Sequence, residues 1–271
     1  MTSGSWHSVA YSSELEVALA LPGADAMRTA EEFFALSDLV KADARLRRAL
    51  TDPSRSGDDK AALARSLFAE RMSEPALRVV DALVRGHWSK PEALHDAAEV
   101  LGILSVLEDA LRAGTLDEVD DELFEVRRFL AARRELRLTL SDMSTGTPHE
   151  RADLASNLFG EHLSKWTMRL LRRAVGRSRH GRLLHNLRRF AQWAATMQDR
   201  LLVTVETAVE MTPEQVARLR ALLEARFERA LTLSISVSPD VVGGFRLRAA
   251  TTAIDATLAS RIADMKRALA G

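Results

Sequence analysis

The 271-residue sequence predicts a mainly α protein: two tandem helical-bundle units followed by a small α+β domain, a three- to four-stranded sheet with two helices. Three observations predict it. Apolar residues recur at spacings of three and four up to about residue 198, the mark of amphipathic helices packed on one another. Short breaker segments, and the residues between them, return after about 90 positions. From Leu201 onward the period changes to two, as in strands with one buried face. The division that follows is 1–100, 101–198 and 199–271.

The breakers are Pro22-Gly23, Asp52-Pro53 to Gly57, Gly86 to Pro91, Gly114, Ser144 to Pro148 and Gly176 to Gly181. Between them, Glu31 to Asp52 aligns with Asp121 to Asp142. Glu32, Phe34, Leu46, Arg47, Leu50 and Asp52 match Glu122, Phe124, Leu136, Arg137, Leu140 and Asp142. After one inserted residue, Lys60 to Phe68 matches Arg151 to Phe159, and Leu94-His95-Asp96 matches Leu184-His185-Asn186. Polar matches and loops keep register together with the leucines, which favours duplication over chance likeness of two leucine-rich helices. Thr147-Pro148-His149-Glu150 opens a helix over about 148 to 160, with a capping hydroxyl, proline at the first position and glutamate three after the cap. Its counterpart starts near Asp58 and is expected to bury Leu63, Leu67 and Phe68.

In the last segment Val203, Val205, Thr207 and Val209 fall on one face of a strand, and Leu231, Leu233, Ile235 and Val237 on one face of another. Thr212-Pro213-Glu214-Gln215 repeats the capping pattern and opens a helix with Val216, Leu219, Leu223 and Phe227 on one side. A third strand is expected over Val241 to Ala249, with a further edge near Thr252 to Ile254. A closing helix is expected to carry Leu258, Ile262, Met265 and Leu269.

Charge sets limits on function. Lys and Arg total 38 against 38 Asp and Glu, so no whole-molecule field draws the chain to nucleic acid or an anionic membrane. The bias of 33 Arg to 5 Lys fits phosphate reading, but also the composition of a GC-rich genome. With no cysteine there is neither a disulfide framework nor a thiolate site. No apolar run is long enough for a bilayer, and the start lacks the form of a signal peptide.

Catalytic signals are absent. There is no GxxxxGK[ST] loop, GxGxxG turn, HExxH pair or GxSxG elbow, so no catalytic residue, cofactor or metal ligand is assigned. Gly243-Gly244, the one glycine pair, reads as a bulge or close backbone approach. His95 and His185 occupy equivalent places in the two copies and read as packing or capping residues. Two charge blocks stand out: acidic Thr115 to Glu125, and Lys165 to Arg200 with ten basic residues against Asp199. The second block supports an alternative reading as a nucleic-acid surface through Arg172, Arg173, Arg188 and Arg189, with Trp166 and Trp193 as stacking residues. A docking face for an acidic protein partner, or an intramolecular match to the acidic block, accounts for it better, because no nucleic-acid motif accompanies it.

The terminal segment is similar to a known family. Val237, Pro239, Val242, Gly243, Gly244, Ile254, Asp255, Arg261 and Leu269 resemble the signature of the delta subunit of the rotary ATP synthase, related to the oligomycin-sensitivity-conferring protein. Ser238, Ala256 and Thr257 depart from that signature, standing where aspartate, glycine and serine are usual. The added helical copy resembles the actinobacterial type. The resemblance implies a non-catalytic stator of the proton-translocating enzyme, without cofactor. Its expected partners are the N-terminal helices of the alpha subunits in the catalytic head and the end of the b subunit in the peripheral stalk, with no nucleic acid. Membrane contact is expected only through the complex, at the cytoplasmic face of the bacterial plasma membrane. Joints that resist torque are expected to bury on the order of 1,600 Å² each. By the same resemblance Val79, Val80, Leu83, Leu170, Leu171 and Val175, taken as exposed, are expected to meet the head. Val242, Gly243, Gly244, Phe245, Leu258, Ile262, Met265 and Leu269 are expected to meet the stalk.

Overall fold

The computed structural model describes residues 9–141, 146–177, 182–198, 201–207, 209–228, 230–237 and 245–250. The duplication is visible in the helix starts. Helices α2 (Ala26–Ala42), α3 (Ala44–Thr51), α4 (Gly57–Phe68), α5 (Glu74–Arg85) and α6 (Ala93–Ala113) are followed 90 or 91 residues later by five counterparts. These are α7 (Leu116–Ala132), α8 (Arg134–Ser141), α9 (Pro148–Phe159), α10 (Lys165–Arg177) and α11 (Leu183–Gln198). Interactions repeat too. The Arg47 guanidinium donates to the carbonyls of Val40 and Lys41, and that of Arg137 to Leu130 and Ala131. Each arginine thus satisfies carbonyls left open at the end of the preceding helix, α2 or α7. The predicted box closes at α9: the Thr147 N–H donates to Glu150 Oε2 at 2.6 Å and the Glu150 N–H to Thr147 Oγ1 at 3.2 Å. Glycine 114 ends α6 in the left-handed region, at φ 73°, where a side chain would be strained.

The compact units differ from the three consecutive segments expected from sequence. One unit comprises residues up to Ser12, Ala26–Asp52 and Trp88–Gln198; the other comprises Ser13–Asp25, Pro53–His87 and the chain from Asp199 onward. The reason lies on α2. Its face at Phe34 packs on α6 and receives α10 of the later copy, while the α4–α5 hairpin of its own copy buries Ala61, Ala64, Phe68, Leu77, Val80 and Leu83 in the other unit. Leu63 is half-buried and Leu67 exposed, contrary to expectation, because the inward face of α4 carries the small alanines; Leu158 is exposed at the matching place on α9.

In the helical unit α2 lies close against α6. A Cβ at Gly102 would stand 2.5 Å from the Phe34 ring, so the absent side chain is what lets the phenyl seat there. Gln192 holds the equivalent place in α11. Gly102→Ala is therefore expected to lose about 1–3 kcal/mol despite the better helix propensity of alanine, as measured by urea unfolding.

The mixed unit contains α1 (Ser12–Leu19) from Ser13, the α4–α5 hairpin and a βαβ crossover: β1 (Leu201–Thr207), α12 (Pro213–Phe227) and β2 (Leu231–Val237), with β3 (Phe245–Ala250) on the other edge of β1. β1 and β2 are parallel in the register Val203 to Leu233, which needs a crossover helix, and β3 is antiparallel to β1, with Phe245 opposite Thr207. The core joins Val203, Val205, Leu231, Leu233, Ile235 and Leu247 to Val216, Leu219, Leu223 and Phe227 of α12, and to Ala20 and Leu21 just past α1. Val209 lies beyond the end of β1 and is exposed, as is Val237 at the end of β2. The expected fourth strand and closing helix lie outside the described residues.

Candidate docking surfaces

The residues expected to face the catalytic head are core. Val79, Val80 and Leu83 in α5, and Leu170, Leu171 and Val175 in α10, are all fully buried, so none presents a surface in the folded chain. Helical spacing marks an apolar face but does not say whether another helix already covers it. Of the residues expected to face the stalk, Phe245 begins β3. Val242, Gly243, Gly244, Leu258, Ile262, Met265 and Leu269 lie outside the described residues.

The inward face of α10 carries a buried ion network. The Arg173 guanidinium reaches Asp38 of α2 through two contacts of 2.9 Å and Glu99 of α6 through Nε at 2.8 and 2.9 Å, and a further short contact joins its terminal nitrogen to Glu99. It also donates to the Phe34 carbonyl at 3.3 Å and stacks over the Phe34 ring. One turn earlier, Arg169 pairs with Glu31 and stacks on the same ring. The Trp166 indole N–H donates to Asp109 of α6 at 2.7 Å, and Trp193 is buried. Arg172 is engaged with Asp153 and Ser156 on α9. Both Arg172 and Arg173 of the suggested nucleic-acid patch are thus held in intramolecular contacts.

His95 and His185, the equivalent pair, line one cleft of about 530 Å³ between α2, α6, α10 and α11, together with Glu99, Arg173, Arg182 and Arg189. Burial holds the His95 pKa below its ordinary value, outweighing the attraction of Asp96 3.4 Å away. Burial likewise lowers that of Arg189, which stacks on Trp193. The cleft sets Glu92, Asp96 and Glu99, at the start of α6 and within it, against Lys41, Arg173, Arg182 and Arg189 from other elements, and no set of acidic or histidine side chains that could hold a metal occurs among the described residues. The unfolded chain takes up a proton at His95 near pH 6.5 while the folded chain resists it, so this histidine draws stability down as pH falls below about 6.5. His95→Gln is expected to flatten the change in melting temperature between pH 7.5 and pH 5.5. An unchanged slope excludes the assignment.

Exposed apolar side chains mark other surfaces. On α7, Phe124 is 52% exposed although its counterpart on α2, Phe34, is 2% exposed. Phe129, Leu138 and Leu158 are exposed elsewhere on α7, α8 and α9, and Leu222 on α12. Sequence spacing missed Phe124 because it matched Phe34, and equivalence in a repeat suggests equal burial. A signal was present nonetheless: Gln192 where the earlier copy has Gly102.

A family model described as the ATP synthase delta (OSCP) subunit matches residues 104–269. ATP synthase subunit delta of Kineococcus radiotolerans is 37% identical over 257 residues, covering 95% of this chain and 93% of that protein. The proteins of the same name from Streptomyces avermitilis and Thermobifida fusca are each 36% identical, covering 91% and 93% of this chain and 90% and 93% of theirs.

Proposed function

Because the chain belongs to the ATP synthase delta (OSCP) subunit family, we infer that it is a non-catalytic stator subunit of the proton-translocating ATP synthase. The observation that carries the reading is the likeness to subunits of that name along nearly the whole length, first helical copy included. Its work is mechanical. It joins the head, through the N-terminal helices of alpha subunits, to the end of the peripheral-stalk b subunit, and resists the torque of the rotor. Helix-in-groove docking suits both joints, since each partner offers a helix. Buried charge networks within the chain favour that role. Directional contacts such as those of Arg173 fix one arrangement of helices more sharply than apolar packing alone, so less load is lost in internal yielding.

No helix among the described residues is long and apolar enough to cross a membrane. The subunit is accordingly proposed to sit peripherally, at the cytoplasmic face of the bacterial plasma membrane, through its partners. Affinity purification of the tagged full chain from native membranes tests the whole reading: alpha and b subunits are expected among the co-eluting chains. A preparation that reproducibly yields neither, while other enzyme subunits are recovered from the same membranes, overturns it.

A further inference from the structure

The two copies share a helix face that is covered in one and open in the other. On α2 the face displays Glu31, Phe34 and Asp38, and α10 lies on it: Arg169 pairs with Glu31, Arg173 pairs with Asp38, and both guanidiniums stand 4.5 Å from the Phe34 ring centre. On α7 the equivalent residues are Asp121, Phe124 and Arg128, all exposed. In an array of repeats each unit covers the face of its neighbour, and the last unit keeps an uncovered end. A phenyl group half in water between two charges of opposite sign is the open form of the seat that α2 shows filled.

We propose that the Asp121–Phe124–Arg128 face of α7 is a docking site for an amphipathic helix of another chain. This helix carries a basic residue to meet Asp121 and stack on Phe124, followed one turn later by an acidic residue to meet Arg128. The chemistry comes from the filled copy with one sign changed. Asp121 keeps the negative charge of Glu31, so the first partner residue stays basic. Arg128 replaces Asp38, so the second reverses. The local pairing of Arg128 with Glu125 at 2.6 Å lies on the surface and is exchangeable at little cost. Arg127, 5.8 Å from the Phe124 ring centre, shows that the ring already attracts a guanidinium. The site stands apart from the assignment of head and stalk partners, and its test uses neither.

The probe is a capped peptide copying residues 165–177, since the native α10 already fills the α2 face and leaves only α7 for a second copy of that helix. Binding of the labelled peptide to the full chain is followed by fluorescence anisotropy at low salt, beside a second peptide carrying Arg173→Glu. The second peptide is expected to bind more tightly than the first. Phe124→Ala in the chain is expected to weaken both by about tenfold or more. Arg128→Glu is expected to reverse the preference between them. Absence of binding by both peptides, binding indifferent to Phe124→Ala, or a preference unchanged by Arg128→Glu overturns the proposal. So does a concentration-dependent dimer of the unliganded chain that Phe124→Ala abolishes, because the face then serves a second copy of this chain. Phe124 and Arg128 are exposed, so these variants retain the fold, which circular dichroism checks.

Discussion

Replacing Arg173 by methionine is expected to remove about 3 kcal/mol or more from the stability of the helical unit. The side chain is 9% exposed and holds Asp38 on α2 and Glu99 on α6 at once; Glu99 is itself only 18% exposed. Methionine fills much of the volume, so the loss comes from the carboxylates left behind. Glu99 would remain in a poorly solvated place without the guanidinium that neutralises it, and the Ser37 hydroxyl 3.3 Å away carries no charge to replace it. Asp38 reaches solvent and adds little. Urea unfolding followed by far-ultraviolet circular dichroism measures the loss, and a value under 1 kcal/mol would show the network to be ornamental. The reference variant is Arg128→Ala, whose partner lies on the surface, with an expected loss of about 0.5 kcal/mol.

The second large effect falls in the mixed unit. Glu16 in α1 and Arg220 in α12 are both buried and joined at 2.5 Å, and Arg220 also donates to the Leu231 carbonyl at 2.8 Å, at the start of β2. Glu16→Ala takes the buried carboxylate from the guanidinium, leaves it the longer 3.9 Å contact with the partly exposed Glu224, and is expected to cost about 3 kcal/mol. The double replacement Glu16→Leu with Arg220→Met is expected to recover most of that, because it removes both charges and keeps the volume. A double variant no more stable than Glu16→Ala would mean that the arginine earns its place through the Leu231 carbonyl. Hydrogen exchange at the β1 and β2 amides locates the effect. The same contacts bear on truncation. Removing residues 200–271 strips the sheet and α12 from Ala20, Leu21 and Val17, so such a fragment is expected to associate through the segment at the end of α1.

Local features were legible in the sequence and tertiary ones much less so. The capping patterns at Thr147 and Thr212 located α9 and α12, because a cap depends on residues within four positions of one another. Alternation at Val203, Val205, Leu231 and Leu233 located β1 and β2 for the same reason. The repeat marked stretches that match between the copies, and α4 and α9 fall on one such pair. What it misled on was burial: Val79 and Leu170 were read as surface although they are core, since period gives a face but no covering partner. Membership of the units was likewise hidden. Glu16 and Arg220 lie too far apart in sequence for any local pattern to pair them, and nothing in α4 or α5 announces that they leave their own copy.

The interleaving of the two units has a consequence for how the chain is made. Helix α1 emerges from the ribosome long before α12 and β2 exist, and the intervening segments 26–52 and 88–198 can complete their own unit meanwhile. At roughly 5–20 residues per second, the wait for Arg220 lasts on the order of ten seconds or more. Throughout it, Ala20 and Leu21 just past α1 lack their final cover. Newly made chains are therefore exposed to chaperones and proteases at the end of α1, and the making of α12 and the strands is what ends that exposure.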